Sequence, residues 1–422
     1  MMTDLVVVGL GHVGLPLAAR ACAVGMTTAG YDTDGAVVDG LRAGRSHIGD
    51  VRDAQLAAML TAGFRAGRDP AVLGRAGTVV ICVPTGLTAD GAPDLSAVRA
   101  AAADVAAHLR PGTLVVLEST SRPGTTQEVV RPVLERGSGL RAGEDFYLAY
   151  SPERIDPGNP SFGLSNTPKV IGGCTPLCAK YATAFYGRLV DTLVVARGTR
   201  EAEMAKLLEN TYRYVNIALV NEIALCCDAL GIDVRDVLHC AATKPFGYAP
   251  FRPGAGVGGH CIPVDPHHLA ASADAAGRPL RLVSAARTVL DRLPRHVTER
   301  AAALLTGLGK PVAGAEILLL GAAYKPGSAD VRHSPAVPVV RDLRERGARV
   351  LYHDPYVPEF TVDGTPVPRA PELPRALADA GLAILLQDHT CYGAPLMARA
   401  PCPVLDTLGR FSGPRITQLH RC

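Results

Sequence analysis

The sequence predicts an α/β protein: two Rossmann-like, doubly wound domains joined by a long central helix and a helical middle domain. Three observations predict it. Short β-rich runs alternate with Ala-rich helical segments over the first third and again over the last hundred residues, the pattern of parallel sheets covered on both faces. Between these regions one helical pattern runs from about Thr199 to Leu230. A glycine-rich turn directly follows the first β-rich run. The expected domains are 1–198, 199–309 and 310–422.

In chain order, strands are expected at Leu5–Val8, Thr27–Tyr31, Thr78–Val83, Leu114–Glu118 and Phe146–Tyr150. Helices such as Leu15–Val24 and Leu95–Leu109 lie between them. The Pro- and Gly-rich joints Arg122-Pro123-Gly124 and 152–160 follow strands, where doubly wound sheets place their ligands. Thr199 is read as the cap of the long helix, with Glu201 and Glu203 suiting its positive end. Gly231 stops it. At 1.5 Å per residue this helix spans roughly 45 Å, a spine whose apolar positions suit a homodimer interface. A loop from Lys244 to Pro266 follows, then helix to about Gly309. Ile317–Leu320, Pro335–Gly347, Arg349–Tyr352 and Leu382–Leu386 continue as strand, helix, strand and strand. This last region has no G-x-G-x-x-G and is not expected to hold a second dinucleotide in the same manner.

The 422 residues are 48% hydrophobic and 20% charged, ordinary for a soluble enzyme. No apolar run approaches the roughly 20 residues that span a bilayer, and Leu5–Val8 lacks the flanks of a signal peptide. A net charge of +3 with interspersed signs gives no basic stripe for nucleic acid. Eleven cysteines without framework spacing suggest reduced thiols in a cytoplasm. Cys22, Cys82, Cys226 and Cys227 read as small core residues. Cys174 and Cys178 have no second pair to complete a zinc site.

Gly9-Leu10-Gly11-His12-Val13-Gly14 follows a strand and opens a helix. Gly9 permits the tight turn, Gly11 a close approach of backbone to pyrophosphate, and Gly14 tight helix–strand packing. The helix amides, from Val13 onward, then face the phosphates. Asp32 ends the second strand, where an acid binds the ribose hydroxyls and repels a 2′-phosphate. Thr33 and Asp34 follow it rather than an arginine, so NAD is expected over NADP.

The run Pro253-Gly254-Ala255-Gly256-Val257-Gly258-Gly259-His260-Cys261 brings backbone amides close to an anionic ligand. It sets Cys261 ahead of a helix expected to begin near Pro263 or Pro266, a position that activates a thiol. His260, Cys261, His267 and His268 cluster in sequence, but adjacent histidines on a helix point apart, and no metal is expected.

These residues resemble the UDP-glucose/GDP-mannose dehydrogenase family over nearly the whole chain. The resemblance runs through Gly9–Pro16, Cys82–Thr85, Glu118-Ser119-Thr120, Pro123-Gly124-Thr125-Thr126 and Ser151-Pro152-Glu153-Arg154-Ile155. It continues through Glu201–Asn221, Lys244-Pro245-Phe246-Gly247, the cysteine loop, Tyr324-Lys325-Pro326, Asp330-Val331-Arg332 and His353-Asp354-Pro355. The Lys244–Gly247 run is similar to the branch acting on UDP-N-acetylglucosamine and UDP-N-acetylmannosamine. The resemblance implies oxidation of a nucleotide-sugar C6 alcohol to a carboxylate in two NAD-dependent steps.

Under that implication Cys261 is the nucleophile of a thiohemiacetal and then a thioester, and Glu153 the base that activates water. Lys206 and Asn210, four apart on one helix face, supply donors to the oxyanions. Asp265 and Thr120 hold a water for proton transfer. Thr85, Thr120, His12 and Arg332 are implied at the cofactor. Arg154, Arg252, Lys325 and the amides of Gly256, Gly258 and Gly259 are implied at the UDP-sugar. His12, Gly86, Ala255, Asp156, Asn159 and His333 depart from the family pattern, without removing a chemical group. UDP-N-acetylglucosamine leads as substrate, ahead of its mannosamine epimer and UDP-glucose. A two-electron β-hydroxyacid-type dehydrogenase and a non-catalytic NAD-binding scaffold stay open as alternatives.

Overall fold

A computed structural model describes residues 2–88, 91–156, 159 and 161–411, together with the backbone of 419–421. By contact density the chain forms two compact units, 1–209 with 267–278, and 210–266 with 279–422.

The first unit is built on an eight-stranded sheet. In spatial order its strands are Leu193–Val195, Lys169–Gly173, Tyr147–Tyr150, Leu114–Leu117, Ala76–Ile81, Thr3–Val8, Thr28–Tyr31 and Arg65–Gly67. All neighbours are parallel except Tyr147–Tyr150 against Lys169–Gly173. Residues alternate along the first strand, as the pleat requires. Leu5 and Val7 enter one core with Leu15, Leu17 and Phe185, while Val6 and Val8 enter another with Val98, Val105 and Leu134. Helices therefore cover both faces, as the doubly wound reading requires. Thr3–Val8 sits between the second and the fourth strand of the chain, so the order reverses there. The loops after Val8 and Ile81 flank that reversal.

The second unit contains a five-stranded parallel sheet, ordered Arg349–His353, Glu316–Leu320, Leu382–Leu385, Val404–Asp406, Leu419–Arg421. Its core is again two-sided, with Ile317 and Leu319 on one face and Leu318 and Leu320 on the other. The order reverses beside Glu316–Leu320. A separate helical core joins Tyr214 and Ala218 to Ala286, Leu290 and Leu293.

The spine helix occupies Thr199–Leu230, and Gly231 ends it with a left-handed φ of +67°. Thr199 is not its cap. It is the first helical residue, and its buried hydroxyl has no hydrogen-bond partner among the described residues. The expected strand Thr78–Val83 lies two residues earlier, at Ala76–Ile81. Cys82, Cys227 and, in part, Cys22 are buried as expected, but Cys226 is exposed. It lies on the side of the spine that also leaves Met204, Leu208, Tyr212, Leu219, Ile223 and Leu230 in the open. Among the described residues no helix is long and apolar enough to cross a membrane.

Candidate active site

In the first unit the glycine turn has the shape a dinucleotide needs. Gly9 has φ +88°, and a Cβ there would lie 2.9 Å from the Cys82 carbonyl oxygen. A Cβ on Gly14 would lie 1.9 Å from the Gly9 carbonyl oxygen, so helix and strand meet with no room for a methyl group. Gly11 has open space instead: nothing lies within 4 Å of where its Cβ would be. The helix Gly14–Ala23 starts after Val13 with no side-chain cap. Leu15 N–H already bonds the Gly11 carbonyl at 3.1 Å and Pro16 has no N–H, so any amide offered to a phosphate comes from the turn up to Gly14. Asp32 Oδ2 accepts the Leu10 N–H at 2.7 Å, which ties the acid to the turn. His12 is exposed on that turn. Thr85 is buried and donates its hydroxyl to the Thr120 carbonyl at 2.6 Å, linking the loops after two neighbouring strands. These residues fit NAD: Gly11 leaves room for a pyrophosphate beside the backbone, and Asp32 offers a carboxylate of the kind a ribose hydroxyl can bond.

Glu153 lies in the loop after Tyr147–Tyr150, and Lys206 Nζ approaches its Oε2 at 3.6 Å. Lys206 is only 5% exposed, so it is no solvated helix charge. Arg154 bridges to Glu209 at 2.7 Å and donates to the Pro168 carbonyl. Glu203, one turn before Lys206, is fully buried. Its carboxyl accepts from Gly124 N–H at 2.5 Å and from the Thr126 N–H and hydroxyl at 2.8 and 2.7 Å. Burial pushes this carboxyl up to about 7 against the pull of those donors.

In the second unit Cys261 is exposed and is itself the first residue of the helix Cys261–Ala275. The expected start near Pro263 or Pro266 is therefore late. Pro263 falls in the first turn, where an N–H is not needed, and Pro266 is accommodated inside the helix. Cys261 thus stands at the positive end of a helix, which favours a thiolate more directly than the expected arrangement.

The loop before it is shaped by close contact. Cβ atoms on Gly258 and Gly259 would lie 2.4 and 2.7 Å from the Tyr324 side chain. Gly259 N–H donates to the Arg332 carbonyl at 2.8 Å. The Arg332 guanidinium is gripped by Asp330, with Nε at 2.9 Å, and lies within electrostatic reach of Cys261. Burial first, then Arg332 and His333, hold the His260 imidazole below its ordinary value. Asp265 is 1% exposed and accepts a hydrogen bond from the Asn210 amide. A cavity of about 190 Å³ is lined by Arg252, Gly256, Tyr324 and Gln387, beside the strand reversal of the second sheet.

Lys325 is half-buried in the loop after Glu316–Leu320. Asp354, fully buried, organises that loop. Its Oδ2 accepts from the Ala322 and Ala323 N–H groups at 2.8 and 3.0 Å and from His389 at 3.0 Å. Oδ1 accepts from Tyr356 and Val357. Burial works against the charge, but the His389 and amide donors win and bring the carboxyl down to about 2. Among the described residues no group of three His, Cys, Asp or Glu side chains is placed to hold a metal ion. Asp354, His389 and Glu203 escape the sequence reading as loop anchors. The motifs containing Asp354 and Glu203 were visible, but nothing in their spacing gives their partners.

Family models describe the same parts. The NAD binding domain of the UDP-glucose/GDP-mannose dehydrogenase family matches residues 3–190, its central domain 200–292 and its UDP binding domain 318–411. The chain belongs to this family. As a member it is an oxidoreductase that uses NAD. It is 37% identical over 359 residues to a UDP-N-acetyl-D-glucosamine 6-dehydrogenase of Pseudomonas aeruginosa, covering 84% of each chain. It is also 34% identical over 425 residues to an NDP-N-acetyl-D-galactosaminuronic acid dehydrogenase of Ralstonia solanacearum, covering 97% of this chain and 96% of that one. Among solved structures, a UDP-D-ManNAc dehydrogenase from Pyrococcus horikoshii superposes with a TM-score of 0.90 at 32% identity. That match covers 99% of this chain and 98% of that one.

Proposed function

We propose that this family member oxidises the C6 hydroxymethyl group of a UDP-sugar to the carboxylate through a covalent intermediate on Cys261. The observation that carries the reading is an exposed cysteine at a helix N-terminus, set behind tightly packed glycines and within reach of a guanidinium. The Gly9–Gly14 turn and Asp32 would hold NAD, which would supply the hydride acceptor for each of two oxidations. The balance is one alcohol, two NAD⁺ and one water giving one carboxylate, two NADH and three protons.

After the first oxidation the Cys261 thiolate adds to the aldehyde carbon, giving a thiohemiacetal whose oxygen carries the negative charge. Lys206 and the Asn210 amide stabilise that oxyanion. Loss of hydride from the same carbon leaves a thioester. Glu153 then takes a proton from water as it attacks, and Cys261 leaves as thiolate. Asp265, with Thr120, holds water for the proton transfers. Arg332 and Thr85 serve the cofactor. Lys325, Arg154, Arg252 and the Gly256, Gly258 and Gly259 amides serve the UDP-sugar.

UDP-N-acetylglucosamine is the preferred substrate in this reading, supported by the Lys244–Gly247 run and by relatives named for N-acetylhexosamines. The domain limits 1–198, 199–309 and 310–422 remain our division of labour. The exposed apolar row on the spine helix supports a homodimer, to be checked by sedimentation equilibrium. A cytoplasmic setting belongs to the same reading. Counting NADH against sugar consumed tests the reaction: two per sugar is expected, and one would leave a two-electron dehydrogenase.

A further inference from the structure

We propose that Lys169 is a positioning residue for thioester cleavage: from inside the first sheet it fixes the Pro152 carbonyl, and with it the backbone that carries Glu153. The inference rests on the reading of Glu153 as the water-activating base.

Lys169 opens the strand Lys169–Gly173 and is 7% exposed. A lysine is rarely buried unless paired. Its Nζ lies 2.6 Å from Oε1 of Glu118, itself 2% exposed. The Tyr186 hydroxyl donates to the same oxygen at 2.5 Å, and the ammonium lies 4.9 Å from the centre of the Tyr186 ring. Burial, with Glu118 next in effect, pushes the neighbouring Cys82 thiol well up, so it packs there as a neutral group.

Lys169 Nζ reaches out of this cluster to donate to the Pro152 carbonyl at 3.2 Å. That carbonyl belongs to the peptide plane shared with Glu153, so holding it orients the residue that follows. Ser151 is held as well: its N–H donates to Leu117 O at 3.0 Å and its hydroxyl to Val170 O at 2.7 Å. The backbone entering Glu153 is thus pinned at two consecutive residues. A buried ion pair adds little stability over well-packed apolar residues of similar size. What apolar residues cannot supply is the donor to Pro152.

The test replaces the cluster with apolar groups, Glu118→Leu/Lys169→Met/Tyr186→Phe, which leaves no charge or hydroxyl stranded. Should that chain fail to fold, Glu118→Gln/Lys169→Met carries the same experiment. The folded variant is mixed rapidly with NAD and UDP-N-acetylglucosamine, and NADH and intact-protein mass are followed. We expect a burst approaching two NADH per site, then turnover at least ~10-fold below the parent, the scale of impaired acid–base catalysis. The protein should carry a UDP-uronyl adduct, with KM for the sugar unchanged. Parental turnover, or slow turnover with no adduct, overturns the role of Lys169. Failure of the underlying reading looks different: the parent enzyme itself would form one NADH per sugar, or its Cys261→Ser variant would still make the acid.

Discussion

The two sheets reverse strand order in the same way, yet the loops at their reversal points are built differently. In the first, Gly9–Gly14 is shaped by steric exclusion and runs straight into a helix whose leading amides have no side-chain cap. In the second, the amides of Ala322 and Ala323 are already consumed by buried Asp354. The open space at Gly11 suits a phosphate against backbone in the first loop, whereas the second loop, with those amides spent, would draw on side chains, the role we propose for Lys325. Shared topology fixes where a ligand sits. What is left unsatisfied in the loop decides which ligand.

The comparison breaks most sharply at Gly14. Gly14→Ala drives a methyl group into the Gly9 carbonyl, and we expect a loss of about 3 kcal/mol in denaturant unfolding, the upper range for overpacking. Gly11→Ala faces open space. Its Tm should stay at the parental value while NAD affinity, by calorimetric titration, falls at least ~10-fold because the methyl group occupies the approach of the pyrophosphate. Equal effects of the two substitutions would refute the division between packing and ligand glycines.

Asp354→Asn comes next. An amide can accept on only one of its two ends, so two of the amides now bonded to Asp354 lose their acceptor, at about 2 kcal/mol in unfolding free energy. KM for the UDP-sugar should rise as the Lys325 loop loosens, with KM for NAD unchanged.

Protonation separates the two buried carboxylates by sign. Asp354 has a folded value near 2 against an ordinary 3.8. Its stabilisation is full above about pH 4 and is lost as pH falls through 2, about 2 kcal/mol in all. Glu203 has a folded value near 7 against 4.5, so its ionisation weakens the fold as pH rises from 4.5 through 7. Glu203→Gln, the smallest effect we predict, should flatten stability across that upper window in a series of denaturant titrations. Unchanged pH dependence would mean that the three donors around Glu203 outweigh its burial.

What the sequence reveals follows from whether a signal is local. The spine helix is legible to its ends because an acid in its first turn, Glu201, and a glycine just past its last residue, Gly231, mark them. The glycine turn is legible because each glycine answers to a contact within a few residues or to the neighbouring strand. Lys169–Gly173 escapes because its two glycines give no strand signal. They are required instead by packing, since a Cβ on Gly172 or Gly173 would lie 2.3 Å from Gly198 O or Ala179 N. The sequence sets the start of the cysteine helix too late because proline reads as a boundary, whereas a helix tolerates it in the first turn. Lys206 and Asn210 are predicted to share a face, but their contacts with Glu153 and Asp265 join residues some fifty positions apart. The Lys169–Glu118 pair is equally non-local.

The most direct test of the central claim is product analysis of a Cys261→Ser variant supplied with NAD and UDP-N-acetylglucosamine, alongside the parent enzyme. The variant should fold, bind both ligands and form no UDP-uronate above background. Acid formation at the parental yield would contradict the claim.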